Sequence, residues 1–133
     1  MYLSAAYPEL VAVMYLDAPV INLLSCPGDF GMAKGGMFEE FQAATGMSMS
    51  ELIGYRNHPL DKIKNLSDSD IPMILVSGDS DTIVPFEENG KHLYDYAVAN
   101  NMTIELHLKK GGDHHPHGLD NYGTIVDFIK KYY

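Results

Sequence analysis

The sequence predicts an α/β domain built on a parallel sheet, and three observations carry that expectation. Two short apolar runs, Val11-Ala12-Val13-Met14-Tyr15-Leu16 and Ile71-Pro72-Met73-Ile74-Leu75-Val76, have the composition of strands buried on both faces. A third run, Thr103-Ile104-Glu105-Leu106-His107-Leu108, alternates apolar with polar and so suits a strand nearer an edge. Helical periodicity separates the second run from the third and returns after it, the order that arises when crossovers join parallel strands.

Each element has a local reason. Residues 1–7 read as the last turns of a helix, which Pro8 stops by disfavouring helical geometry at Tyr7. Asp17-Ala18-Pro19 closes the first strand. Over residues 27–66 the character changes: Gly28, Gly31, Gly35 and Gly36 loosen the backbone, and Met32, Met37, Met47 and Met49 gather here. Ser48 and Glu51 have capping-box spacing, which predicts a short helix from about Met49. Pro59 suits the first turn of another, with Leu60, Ile63 and Leu66 on one face. The second strand runs straight into Ser77-Gly78-Asp79-Ser80-Asp81. Phe86, Gly90, Leu93 and Ala97 then recur at helical spacing, and Asn100-Asn101 tolerates the left-handed turn that ends a helix. Asp120 is the expected N-cap of a closing helix through Ile125, Phe128 and Ile129, with Lys130 and Lys131 where the helix dipole favours cations.

The expected organisation is one domain over residues 1–133, with a core of residues 1–26 and 67–133 and a lid-like helical insertion at 27–66. The soft, adaptable methionines of that insertion suit a lid or acyl-binding surface, although core or interface packing is their commoner use.

Composition excludes several classes. With 133 residues, 46% hydrophobic and 20% charged, the chain can bury a core and is not wholesale disordered. Nine Lys and Arg against eighteen Asp and Glu leave a net charge of −9, which repels nucleic acid and anionic membrane surfaces. No apolar run is long enough to span a bilayer. The first residues lack the basic and apolar regions of a signal peptide; the compartment stays open between a reduced cytosol and a secreted fold without disulfides, with the cytoplasm as default. The single cysteine, Cys26, permits neither an internal disulfide nor a Cys-x-x-Cys site. It lacks the histidine or glycine context of a nucleophile and is expected to pack inside.

In open parallel sheets, reacting groups gather at the carboxyl ends of the strands. Asp17, the pair Asp79/Asp81, and the cluster Asp113-His114-His115-Pro116-His117 all fall at such ends. An acid after one strand and a histidine after the next can orient an imidazole as general base: the carboxylate holds one ring nitrogen, and the other faces a nucleophile. Against this stands the plainer reading that aspartates in strand-to-helix turns only cap backbone. His114, His115, His117 and Asp113 are also of metal-ligand type. The proline within the cluster and the lack of a second ligand set elsewhere argue against that reading, so neither a metal nor a cofactor is expected. His115 and His117 are expected to shape the loop or face solvent. Gly35-Gly36 and Gly111-Gly112 lack the patterns of phosphate-binding loops.

Gly78-Asp79-Ser80-Asp81-Thr82-Ile83-Val84-Pro85 resembles the G-x-x-D-x-x-V-P acid loop of the α/β-hydrolase family. Gly111-Gly112-Asp113-His114 is similar to that family's histidine loop, and Tyr7-Pro8-Glu9-Leu10-Val11-Ala12 to the segment where the helix after the nucleophile gives way to the next strand. The resemblance implies a partial α/β-hydrolase fold of about three parallel strands with flanking helices. It makes Asp81 the acid and His114 the base of a Ser-His-Asp triad. Asp79 is the less favoured acid, and Asp17 is a further alternative because some lipases take the acid from the earlier strand.

The departure is as informative as the match. No serine here has the two flanking glycines of a G-x-S-x-G elbow. The resemblance places that elbow, and the strands that supply an oxyanion hole, upstream of Met1. The chain would then supply acid and base without a nucleophile and be nearly inactive alone. The implied activity is hydrolysis of a small-molecule carboxylic ester, as by an esterase or lipase; peptidases, thioesterases and dehalogenases share the fold. The alternative is a non-catalytic α/β interaction module derived from a hydrolase. In either case the strand at 11–16 would have a bare edge, which predicts a homodimer joined there or else poor solubility.

Overall fold

A computed structural model describes residue 4 and residues 6–133. Strands β1 (Met14–Asp17), β2 (Met73–Gly78) and β3 (Ile104–Lys109) form a parallel sheet in the order β1-β2-β3. The helices are α1 (Phe38–Thr45), α2 (Met49–Gly54), α3 (Gly90–Ala99) and α4 (Tyr122–Tyr132), with 3₁₀ turns at Pro8–Leu10, Pro59–Leu66 and Phe86–Glu88. The chain is thus of the α/β class, a three-stranded parallel sheet with flanking helices. The helix expected over residues 1–7 lies largely outside the described residues; Ser4 and Ala6 are helical.

Every residue of β2 is buried, because this strand is paired on both sides and covered on both faces. Side chains alternate across a strand, so Met73 and Ile74 enter different cores. Met73 packs with Met14, Ile21, Ile63, Leu66, Leu93 and Ala97, that is, against α3 and the 3₁₀ segment. Ile74 and Val76 pack with Ile125 and Phe128 of α4 on the opposite face. Burying each such aliphatic side chain contributes about 1.5–3 kcal/mol, and these two clusters clamp the sheet between helical layers.

β1 is shorter than its apolar run, and Tyr15 is 39% exposed. The expectation of a strand buried on both faces fails there because β1 is an edge, paired only with β2 among the described residues. β3 is the other edge, as its alternation predicted.

The segment after β1 is not uniform. In α1 and α2 only Leu52 is buried, whereas Ile63 and Leu66 of the 3₁₀ segment belong to the main core. Ser48 does cap α2: its hydroxyl accepts from Glu51 N, and Ser48 N donates to Glu51 Oε2 at 2.8 Å. The Ser48 hydroxyl and amide hold the exposed Glu51 carboxyl below its ordinary range. The turn begun by Pro59 is 3₁₀ rather than α. The closing helix takes Asn121, not Asp120, as its N-cap, since the Asn121 side chain accepts from Gly123 N at 3.0 Å. Among the described residues, no helix is long and apolar enough to cross a membrane.

Candidate active site

The pairing of β2 with β3 continues beyond the strands into the loops that follow them. Asp79 N donates to Lys109 O at 3.1 Å and Ser80 N to Gly112 O at 3.0 Å. Gly111 N donates to Asp79 Oδ1 at 2.7 Å, and Thr82 N to Asp113 Oδ1 at 3.3 Å. The two backbones come so close that a methyl group on Gly78 would fall on the carbonyl of Gly112. Sequence-distant loops are therefore held in one register by backbone groups, which places the side chains between them.

Asp81 and His114 meet in that frame. His114 Nδ1 donates to Asp81 Oδ2 at 2.9 Å, and the Asp81 side chain is wholly buried. The other carboxylate oxygen, Oδ1, accepts from Ile83 N at 2.9 Å and Val84 N at 2.8 Å. An ionised carboxylate can only accept, so this bond fixes the His114 tautomer with its proton on Nδ1 and leaves Nε2 with a free lone pair. His114 is partly exposed, with its own amide donating to Asp113 Oδ1 at 2.8 Å. That bond and the one from Thr82 N hold the exposed Asp113 carboxyl below the ordinary carboxylate range. Such a site can accept a proton at Nε2 and stabilise the resulting imidazolium through a buried counter-charge.

The other acids considered from sequence have different partners. Asp79 Oδ1 serves Gly111 N and the Ser80 hydroxyl, so it stitches loops rather than orienting a ring. Asp17 Oδ2 accepts from Gly118 N and from the Tyr15 hydroxyl, each at 2.7 Å. Burial and that bond to Asp17 push the Tyr15 phenol well above its ordinary value. Asp17 Oδ1 is buried without a hydrogen bond, and its nearest cationic candidate is His117 Nδ1 at 3.7 Å. A cavity of about 280 Å³ opens beside this group, lined by Tyr15, Asp17, His117, Gly118, Tyr122 and Ile125.

His115 and His117 are exposed, as expected. The rings of His114, His115 and His117 stack edge to face, with centroids 4.5–5.0 Å apart.

Sequence reasoning missed the support beneath the acid loop. Asn89, almost wholly buried, accepts from Ile21 N and Asn22 N through Oδ1 and donates to Ser25 Oγ and Pro85 O through Nδ2. Glu88 accepts from the Ser25 hydroxyl and from Met32 N, each at 2.7 Å. These two residues tie the segment after β1 to the turn that follows Asp81. Nothing in the local sequence marks them, because polar residues at a helix start ordinarily read as a solvated face. Cys26 packs with Ala33 and Val84 in a small cluster under the same loop, and burial pushes its thiol up, which keeps it protonated and unreactive.

Compared with known proteins, the chain matches no family model and no curated protein.

Proposed function

We propose that this chain supplies the acid and base of a serine hydrolase of the α/β-hydrolase kind, acting on small-molecule carboxylic esters. The observation that carries the reading is the hydrogen bond from His114 Nδ1 to the buried, doubly anchored Asp81 carboxylate at 2.9 Å. A carboxylate used only as a cap would not need to orient a partly exposed imidazole. A serine supplied by the rest of such a hydrolase fold would attack the ester carbonyl. His114 Nε2 takes the hydroxyl proton and returns it to the leaving alcohol; Asp81 holds the ring and offsets the imidazolium charge.

The test is labelling with a fluorophosphonate probe, read by intact mass. It uses the 133-residue chain and the product of the whole reading frame that contains it. The chain alone should take no adduct. The whole product should take one, with a rate lowered about 10²–10⁴-fold in His114→Ala. An unlabelled whole product would overturn the hydrolase reading and leave an α/β interaction module. An adduct on the chain alone, lost in His114→Ala, would mean that it carries its own nucleophile.

The edge of β1 that is unpaired among the described residues gives the proposal a second consequence. Val20, Tyr122 and Val126 are exposed, as is Tyr15 on the strand itself. Unpaired strand edges flanked by apolar side chains recruit another strand. The 133-residue chain should therefore run as a homodimer at micromolar concentration in light scattering after gel filtration. A monodisperse monomer would contradict this.

A further inference from the structure

We infer that His114, His115 and His117 together form a binding site for one zinc-type divalent metal ion. One ligand nitrogen from each ring lies within 4.8 Å of the others. In a tetrahedral zinc site with bonds of about 2.0–2.1 Å, ligand nitrogens stand roughly 3.3 Å apart, so a modest inward turn of the rings completes the geometry. All three donors are imidazoles, which suit zinc, cobalt, nickel and copper rather than calcium or magnesium. Three protein ligands leave the fourth position to water.

What lies behind the rings supports the assignment. A ligating histidine usually donates its other ring nitrogen to a carboxylate, which fixes the tautomer and strengthens the ligand. His114 does so through Nδ1 to Asp81 Oδ2 at 2.9 Å. His117 Nδ1 stands 3.7 Å from Asp17 Oδ1, the buried oxygen that has no hydrogen bond. Turning His117 toward that oxygen would satisfy it and present Nε2 to the ion. Asp17 cannot easily follow the ring, because Gly118 N and the Tyr15 hydroxyl hold its other oxygen. His114 thus has a carboxylate bonded to its Nδ1 and His117 has one 3.7 Å from its Nδ1, and the chain's net charge of −9 favours a cation.

If the hydrolase reading holds, the ion would compete for the Nε2 lone pair that takes the serine proton, so metal would inhibit hydrolysis. The site itself does not depend on that reading, and its test measures binding alone.

The experiment is titration of the untagged, chelator-treated chain with Co²⁺ and, separately, Zn²⁺. Cobalt is followed by its visible d–d absorption and zinc by calorimetry. The expected result is one ion per chain, with the intense visible bands of tetrahedral cobalt. His115 and His117 are exposed, so His115→Ala and His117→Ala should keep the wild-type circular dichroism while each weakens binding tenfold or more. Asp17→Asn, which keeps a carbonyl acceptor for Gly118 N and the Tyr15 hydroxyl but loses the charge facing His117, should weaken it about 10–100-fold. Stoichiometry other than one, octahedral cobalt spectra, or wild-type affinity in both histidine variants would overturn the site.

Discussion

Replacing Asp81 by asparagine should move the proton of His114 from Nδ1 to Nε2 while leaving the fold in place. The asparagine carbonyl can still accept from Ile83 N and Val84 N, which now bond Asp81 Oδ1. Its amide must then face His114 as a donor, and only a deprotonated Nδ1 can accept from it. Long-range proton–nitrogen spectra of the imidazole read that exchange directly. In a complete hydrolase the wrong tautomer would cost on the order of 10⁴-fold in kcat. Asp81→Ala is a different experiment. It strips two backbone N–H groups of their acceptor in a buried setting, at about 1–3 kcal/mol for each group left unsatisfied. A loss of about 2–6 kcal/mol in urea unfolding is expected, a large share of a small domain's stability. An unchanged His114 tautomer in Asp81→Asn would show that the carboxylate does not orient the ring.

Gly78→Ala should be the most damaging single methyl addition in the chain. The added carbon would meet the carbonyl carbon and oxygen of Gly112 and the carbonyl oxygen of Asp113, all of them backbone. Neither side can give way by rotating a side chain, and both are tied by the bonds from Ser80 N to Gly112 O and from Gly111 N to Asp79 Oδ1. The loops must separate, at a cost of at least about 3 kcal/mol, the upper range for overpacking. His114 would move away from Asp81 with them. Gly54→Ala is the control: Gly54 ends α2 with nothing within 4 Å of an added carbon. It should be neutral or stabilising by up to about 1 kcal/mol. Equal urea midpoints for the two variants would refute the close-approach account.

Much of this architecture was legible because it rests on short-range rules. The run from Ile71 to Val76 could only be a covered strand, and β2 is buried at every position. Ser48 and Glu51 announced their helix by a spacing that geometry alone explains. Leu93 and Ala97 sit on the face of α3 that periodicity assigned to the core. The errors share a cause. Tyr15 reads as apolar strand, but its exposure depends on whether another strand lies beside β1. Asp120 and Asn121 are both good caps in isolation, and the path of the loop selects Asn121.

The candidate site divides in the same way. The order of strand, acid loop, strand and histidine loop singled out Asp81 and His114, but Asp79 was an acid of the same turn. Only the register between β2 and β3 gives Asp79 to Gly111 N and Asp81 to His114 Nδ1. Likewise, the chain order separates Asp17 from His117 by the length of the domain, and the sheet brings them together. Hydrophobic period, capping and turn chemistry act over a few residues, so the sequence by itself determined the elements, the class and the candidate groups. Which carboxylate meets which imidazole was decided by tertiary structure, because backbone hydrogen bonds between loops far apart in the chain set those distances.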